Sequence, residues 1–233
     1  MTSGTANQPA NDSTSMQRSP ARRWTARDVA QIILFALLIK PFMTLFIGLR
    51  VRGREHLPHA GQFILVANHS SHLDTASLLT LFRLSQLRHI RPVAAADYFE
   101  RNAVISVLTK TIFNILPIAR KGITAENNPL ERMKQALAAG DSLLIFPEGT
   151  RGSGDQIGPF RSGIAHLVEK LPGVPVVPAY LANMGRSLPK GEVIPVPFFC
   201  EIRVGEPLLP GGNRQQIIHS LEDAVRALKE QEH

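Results

Sequence analysis

Cysteine is nearly missing from this chain of 233 residues: Cys200 is the only one, so no disulfide can form within it. Its apolar setting, VPFFC, marks it as a small core residue and fits a reducing compartment. Aromatic residues are few, 6% of the chain, and no base-stacking or recognition motif accompanies the cations, which argues against a nucleic-acid partner. Acidic residues fall short of basic ones, 19 against 26, so the formal charge is +7 and the surface suits anionic partners. Internal repeats and the GxSxG nucleophile elbow are absent as well. Nor does any apolar run reach the roughly 20 residues of a plain membrane span without an interruption. What is present, 44% hydrophobic and 19% charged residues, suffices for the core of one domain of ordinary size.

Residues 1 to 20 are Ser, Thr, Asn, Gly and Pro with almost nothing apolar, and read as a disordered tail, because no core offsets the entropy of ordering them. The character changes over residues 21–49, where Arg22, Arg23, Trp24 and Arg27 lead into VAQIILFALLIK and PFMTLFIGLR. Lys40 and Pro41 divide that run into two short pieces, so a spanning helix would be strained. Trp24 and the cations at both ends suit the lipid headgroup level, and the segment reads as a membrane-associated interfacial helix or helical hairpin. No small-residue cleavage site closes the run before strand-like sequence begins at Leu49, which argues against a cleaved signal peptide.

Over residues 50–233 short apolar runs alternate with helical segments, the pattern of a single α/β domain with a central, mostly parallel or mixed sheet flanked by helices. QFILVA at 62–67 reads as a buried strand. NNPLERMKQALAAG reads as a helix with Asn128 as N-cap, Pro129 at N1, Glu131 at N3 and Gly140 past the end, followed directly by strand DSLLIF at 141–146. A helix over 163–170, strands at 175–181 and 199–204, and a last helix from Asn213 toward Glu230 complete the pattern, with a Pro and Gly connector near 183–197.

Two clusters of chemistry-bearing residues lie at strand ends, where α/β folds place their sites. In the first, NHSSHLD, His69 is in the turn and Asp74 in the first helical turn, so the carboxylate can reach an imidazole nitrogen, fix the tautomer and leave the other nitrogen as a general base. Ser71-x-x-Asp74 is equally a helix-capping pattern. His72 reads as a partly exposed helix-start residue. The second cluster, FPEGTR, carries Glu148, Gly149, Thr150 and Arg151, a turn with free backbone and a guanidinium that suits a phosphate, or else an ordinary exposed loop.

NHSSHLD resembles the NH-x-S-x-x-D block, and FPEGTR the second hallmark block, of the glycerolipid acyltransferase family that includes lysophosphatidic acid acyltransferases. Order and spacing are also similar, over roughly residues 50–210. The resemblance implies that His69 is the base and Asp74 its orienting partner, and that Glu148, Gly149, Thr150 and Arg151 hold the acceptor's phosphate or glycerol. It also implies Arg120 in the intervening arginine block, beside Lys121. That block departs from the usual form, in which a Phe and an Asp or Asn precede the arginine, because Pro117 and Ala119 stand there. The acceptor headgroup is left open by that departure, with 1-acyl-glycerol-3-phosphate first.

The implied reaction moves an acyl group from acyl-CoA or acyl carrier protein to the hydroxyl of a membrane lysolipid. It needs no metal or organic cofactor, and takes place at an anionic bilayer surface on the cytoplasmic face. Two rivals stand beside it. One is a metallohydrolase built on His69, His72 and Asp74 with Glu148, whose spacing fits no common zinc motif. The other is a non-enzymatic basic membrane-binding module, resting on the positive charge alone.

Overall fold

The computed structural model describes residues 23–96, 112–152, 156–189, 192 and 194–231, so the expected disordered tail at 1–20 lies outside the described residues. Seven strands, β1 (Arg50–Arg52), β2 (Ile64–Ala67), β3 (Ile90–Ala95), β4 (Leu116–Ile118), β5 (Ser142–Ile145), β6 (Val176–Ala182) and β7 (Glu201–Val204), are seen among them. They join in one sheet of order β1-β7-β6-β2-β5-β3-β4. From β6 to β4 across that order every pairing is parallel, while β7 runs antiparallel to β6 and β1 runs alongside β7. The expected mostly parallel or mixed sheet is therefore found, with the reversal confined to one edge.

The central strands ILVA and SLLI are buried at every position, as strands covered on both faces must be. Alternation along β2 divides it between two cores: Leu65 and Ala67 face one, Ile64 and Val66 the other. The first core is closed by α1, a helix over Ala26–Phe46, and by α2 (Leu73–Leu79). The second is closed by α3 (Pro129–Ala138), α4 (Ser162–Lys170) and α6 (Arg214–Glu230), while the short α5 (Met184–Ser187) follows β6. The terminus signals in the sequence hold: Asn128 accepts from the Leu130 amide at 2.9 Å with Pro129 behind it, and the last helix starts after Asn213, where the structure adds a reciprocal cap between Asn213 and Gln216. Glu131 turns instead to Lys134, at 3.0 Å.

Of the two forms expected for the N-terminal segment, the structure takes the single helix. Thr25 and Asp28 form a capping box at its start. Pro41 does not divide it, because the turns on either side, Phe35–Ile39 and Phe42–Phe46, widen to π geometry and absorb the missing N–H. By length and composition this 21-residue helix is able to cross a membrane, and only 17% of its most apolar stretch is buried. One side nonetheless belongs to the core: Phe35, Met43 and Ile47 are fully enclosed, Gln31 donates to the Ile112 carbonyl at 2.7 Å, and Lys40 donates to the Phe82 carbonyl at 2.9 Å. The opposite side leaves Val29, Ile33, Leu37, Leu38, Leu45 and Phe46 exposed.

Candidate active site

Strands β2 and β5 are parallel neighbours with Val66 opposite Ile145, so the segments that follow them leave the sheet at the same edge. Asn68 fixes the first segment: its side-chain amide donates to the Leu181 carbonyl at 3.0 Å and accepts from the Leu181 amide at 2.7 Å, tying the loop to β6. The next residue, His69, turns its Nδ1 to Oδ2 of Asp74 at 2.8 Å. Asp74 is fully buried in the first turn of α2, and the same oxygen accepts from the amides of Ser70 at 2.7 Å and Ser71 at 2.9 Å. An oxygen that accepts two backbone N–H groups is an acceptor for the imidazole as well, which places the hydrogen on Nδ1 and leaves Nε2 with its lone pair. The two readings of the NHSSHLD cluster are thus met by one carboxylate, which braces the helix start and orients the imidazole together. Ser71 has a further part, donating from Oγ to the Leu188 carbonyl at 3.0 Å.

The imidazole lies on the ring of Phe146, centroids 4.2 Å apart and planes 16° apart, so it is held flat with about a fifth of the side chain open to solvent. Phe146 starts the second segment. Gly149 turns that segment at φ +74°, its amide donating to the Phe146 carbonyl at 3.0 Å. Glu148, enclosed beneath, uses both carboxylate oxygens on backbone: Oε1 accepts from the His69 amide at 2.9 Å and Oε2 from the Gly158 amide at 3.1 Å. Burial pushes the Glu148 carboxyl above its ordinary range, and those two amides partly offset the shift. In this arrangement Glu148 is a brace between the two segments, facing protein amides. Gly152 adds a third tie by donating to the His69 carbonyl at 2.8 Å.

Arg151 is half-buried, and its Nη1 is enclosed with no hydrogen-bond acceptor among the described residues. It lies near enough to His72 to help lower that imidazole's pKa, after burial, which is the larger cause. A guanidinium nitrogen withdrawn from water with no acceptor is an open valence for an anionic oxygen. Arg120, just past the end of β4, reaches the same loop and donates to the Gly149 carbonyl. Thr150 is exposed at the tip of the turn. All seven residues singled out in the sequence therefore stand at one edge of the sheet. Residues that sequence reasoning passed over also take part. Asn68 and Phe146 stand inside the motifs with no role assigned to them. Gly158 and Arg161, whose Nε donates to the Glu148 carbonyl at 2.9 Å, meet the site only through the fold. Among the described residues no group of three or more His, Cys, Asp or Glu side chains is gathered as metal ligands are.

Residues 48–182 match the family model described as Acyltransferase. A 1-acyl-sn-glycerol-3-phosphate acyltransferase of Brassica napus chloroplasts is 31% identical over 61% of this chain, which spans only 39% of that relative's length. A lyso-ornithine lipid O-acyltransferase of Brucella abortus is 26% identical over 86% of this chain and 91% of its own. Among solved structures, the 1-acyl-sn-glycerophosphate acyltransferase of Thermotoga maritima superposes with a TM-score of 0.67 at 22% identity, over 88% of this chain and 82% of that one.

Proposed function

This chain belongs to the Acyltransferase family, and from that premise we propose that it is an O-acyltransferase moving a fatty acyl group from acyl-CoA or acyl carrier protein to the free hydroxyl of a lysophospholipid, 1-acyl-glycerol-3-phosphate first. The observation that carries the reading is the 2.8 Å contact of His69 Nδ1 with buried Asp74, which leaves Nε2 with its lone pair. Nε2 takes the proton of the acceptor hydroxyl as its oxygen attacks the thioester carbonyl. Collapse of the tetrahedral intermediate breaks the C–S bond, the thiolate leaves with the proton returned by the imidazolium, and the ester remains. Asp74 stabilises that imidazolium and keeps the ring in one tautomer.

The enclosed Nη1 of Arg151 supports a phosphate-bearing acceptor, whose anionic oxygen would give the guanidinium its missing partner. Glu148, Gly149 and Arg120 serve the same end indirectly, by shaping the loop that carries Arg151. The steps as written call on side chains and the good thiolate leaving group, without a metal or organic cofactor. Helix α1, with Arg23 and Arg27 near its start and Arg50 past its end, anchors the domain to an anionic bilayer on its cytoplasmic face, where the lysolipid resides. A second acceptor class, an amino-acid lysolipid, is favoured by the match to nearly the whole length of the Brucella relative and by the altered residues before Arg120.

The experiment is an acceptor panel, lysophosphatidic acid and lyso-ornithine lipid among others, with labelled acyl-CoA. His69→Ala and Asp74→Asn should each lower kcat by roughly 10²–10⁴-fold in folded protein. Arg151→Ala should lower kcat/KM for the phosphate acceptor by about tenfold or more. A His69→Ala protein with undiminished turnover sinks the mechanism.

A further inference from the structure

Large apolar side chains exposed singly are ordinary, but here four fall within six residues: Ile194, Val196, Phe198 and Phe199 are exposed, Ile194 and Phe199 by about three quarters. The backbone that carries them is held in place. Val196 donates to the Ser187 carbonyl at 2.8 Å and its own carbonyl accepts from Ser187 Oγ at 2.7 Å, while the Asn183 side chain donates to the Phe199 carbonyl at 3.2 Å. Pro195 and Pro197 stiffen it further, so little conformational entropy remains to be lost when this strip meets a partner.

Three observations identify the partner. The strip continues the exposed side of α1: Phe199 lies against Gly48, so close that a Cβ there would stand 2.9 Å from its ring, and just before Gly48 the helix ends on exposed Leu45 and Phe46. Cations predominate in the groove beside it, although exposed Glu192 stands two residues before the strip. A groove of about 520 Å³ beside Phe199 is lined by Arg50, Arg52, Arg203 and Lys229, and its one carboxylate, Glu201, is engaged by Arg52 at 2.6 Å and by Arg203 at 2.8 Å. Aromatics beside arginines recur on the strip itself, with Arg186 4.9 Å from the Phe198 ring centroid, the pairing suited to the lipid headgroup level.

We propose that residues 194–199 are a second membrane-inserting element, which dips into an anionic bilayer beside α1 and sets the His69 mouth against the lipid surface. The proposal rests on the reading of α1 as a membrane helix. The strip lies close to the chemistry, because Leu188, next to Ser187, accepts from Ser71 Oγ, two residues from His69. A lysolipid in the adjoining leaflet would then reach the imidazole laterally, with its acyl chain still against Phe198 and Phe199.

The test uses the full chain carrying Trp24→Phe and Phe199→Trp, which leaves one indole, at position 199. On vesicles of phosphatidylcholine and phosphatidylglycerol with brominated acyl chains, its emission should shift to the blue and fall by roughly half or more, as for a ring at the headgroup boundary. In the otherwise unchanged chain, Ile194→Ser with Phe199→Ser should lower turnover of a long-chain lysolipid embedded in vesicles by about tenfold. Turnover of a short-chain acceptor below its micellar concentration should be preserved. An indole that stays unquenched on vesicle-bound protein overturns the proposal, and so does an equal fall with both acceptors, which would make the strip part of the site. Quenching by a protein that acylates nothing would uphold the docking element and sink the acyl-transfer reading alone.

Discussion

Glu148 places a carboxyl group in an enclosed position between two segments, and the reason is geometric. Both of its oxygens accept backbone N–H groups, so an amide of the same shape can satisfy only one of them. Glu148→Gln should therefore destabilise the fold by about 1–3 kcal/mol, and loosen the His69 backbone, lowering kcat with little change in KM. A thermal melt and a rate measurement on one sample check both. His72 works in the other direction. Burial, then the neighbouring Arg151, holds its imidazole below the ordinary histidine range. Between the ordinary value and the lowered one the unfolded chain binds a proton that the folded chain refuses. The stability tied to His72 is thus present above the ordinary range and lost as pH falls through the lowered value. As pH falls below the ordinary histidine value of about 6.5, His72→Gln should flatten the decline of Tm; an unchanged slope would show that His72 is not the group responsible.

At the scale of elements, the turn from β5 into the FPEGTR loop depends on a residue without a side chain. Gly149 sits at φ +74°, and a Cβ there would stand 2.6 Å from Arg161 Nε, the nitrogen that donates to the Glu148 carbonyl. Gly149→Ala should cost about 1–3 kcal/mol from the left-handed backbone alone, and displace Arg161 as well. We expect a lower Tm and a larger loss of turnover than at Gly163, where an added Cβ meets nothing within 4 Å. Helix α1 shows the complementary case, an element that accepts an unsuitable residue. Pro41 is accommodated by wide turns before and after it, which keep Phe35, Met43 and Ile47 on the side facing the sheet. The sequence signal for a break was real, but packing of three large side chains outweighed the lost hydrogen bond.

For the molecule as a whole, the same packing means that the apolar helix α1 is part of the domain's own core. Each of those three side chains contributes roughly 1.5–3 kcal/mol by burial, a sum comparable with the whole stability of an ordinary domain, about 5–15 kcal/mol. A chain beginning at Arg50 should therefore not be a soluble catalytic domain; it should bind hydrophobic dyes and lack a cooperative melt. A monomeric, sharply melting product from that truncation would show that α1 is only a tether. Cations gather around the end of α1 and the groove beside Phe199, the charge that the proposed docking on an anionic bilayer calls for.

The sequence by itself determined what local chemistry determines: the apolar runs that become β2 and β5, the cap at Asn128, the start of the last helix at Asn213, and the two motifs at strand ends, each specified by residues adjacent in the chain. That is why the sheet class and His69, Asp74 and Arg151 were legible as a group. Only the tertiary structure decided what depends on strand order. By making β2 and β5 parallel neighbours it set Glu148 against His69, 79 positions away, with its carboxylate accepting from the His69 amide. It also brought the 194–199 strip beside the end of α1, a contact across about 150 residues that no periodicity or spacing encodes, because it arises from the register of β1 on β7.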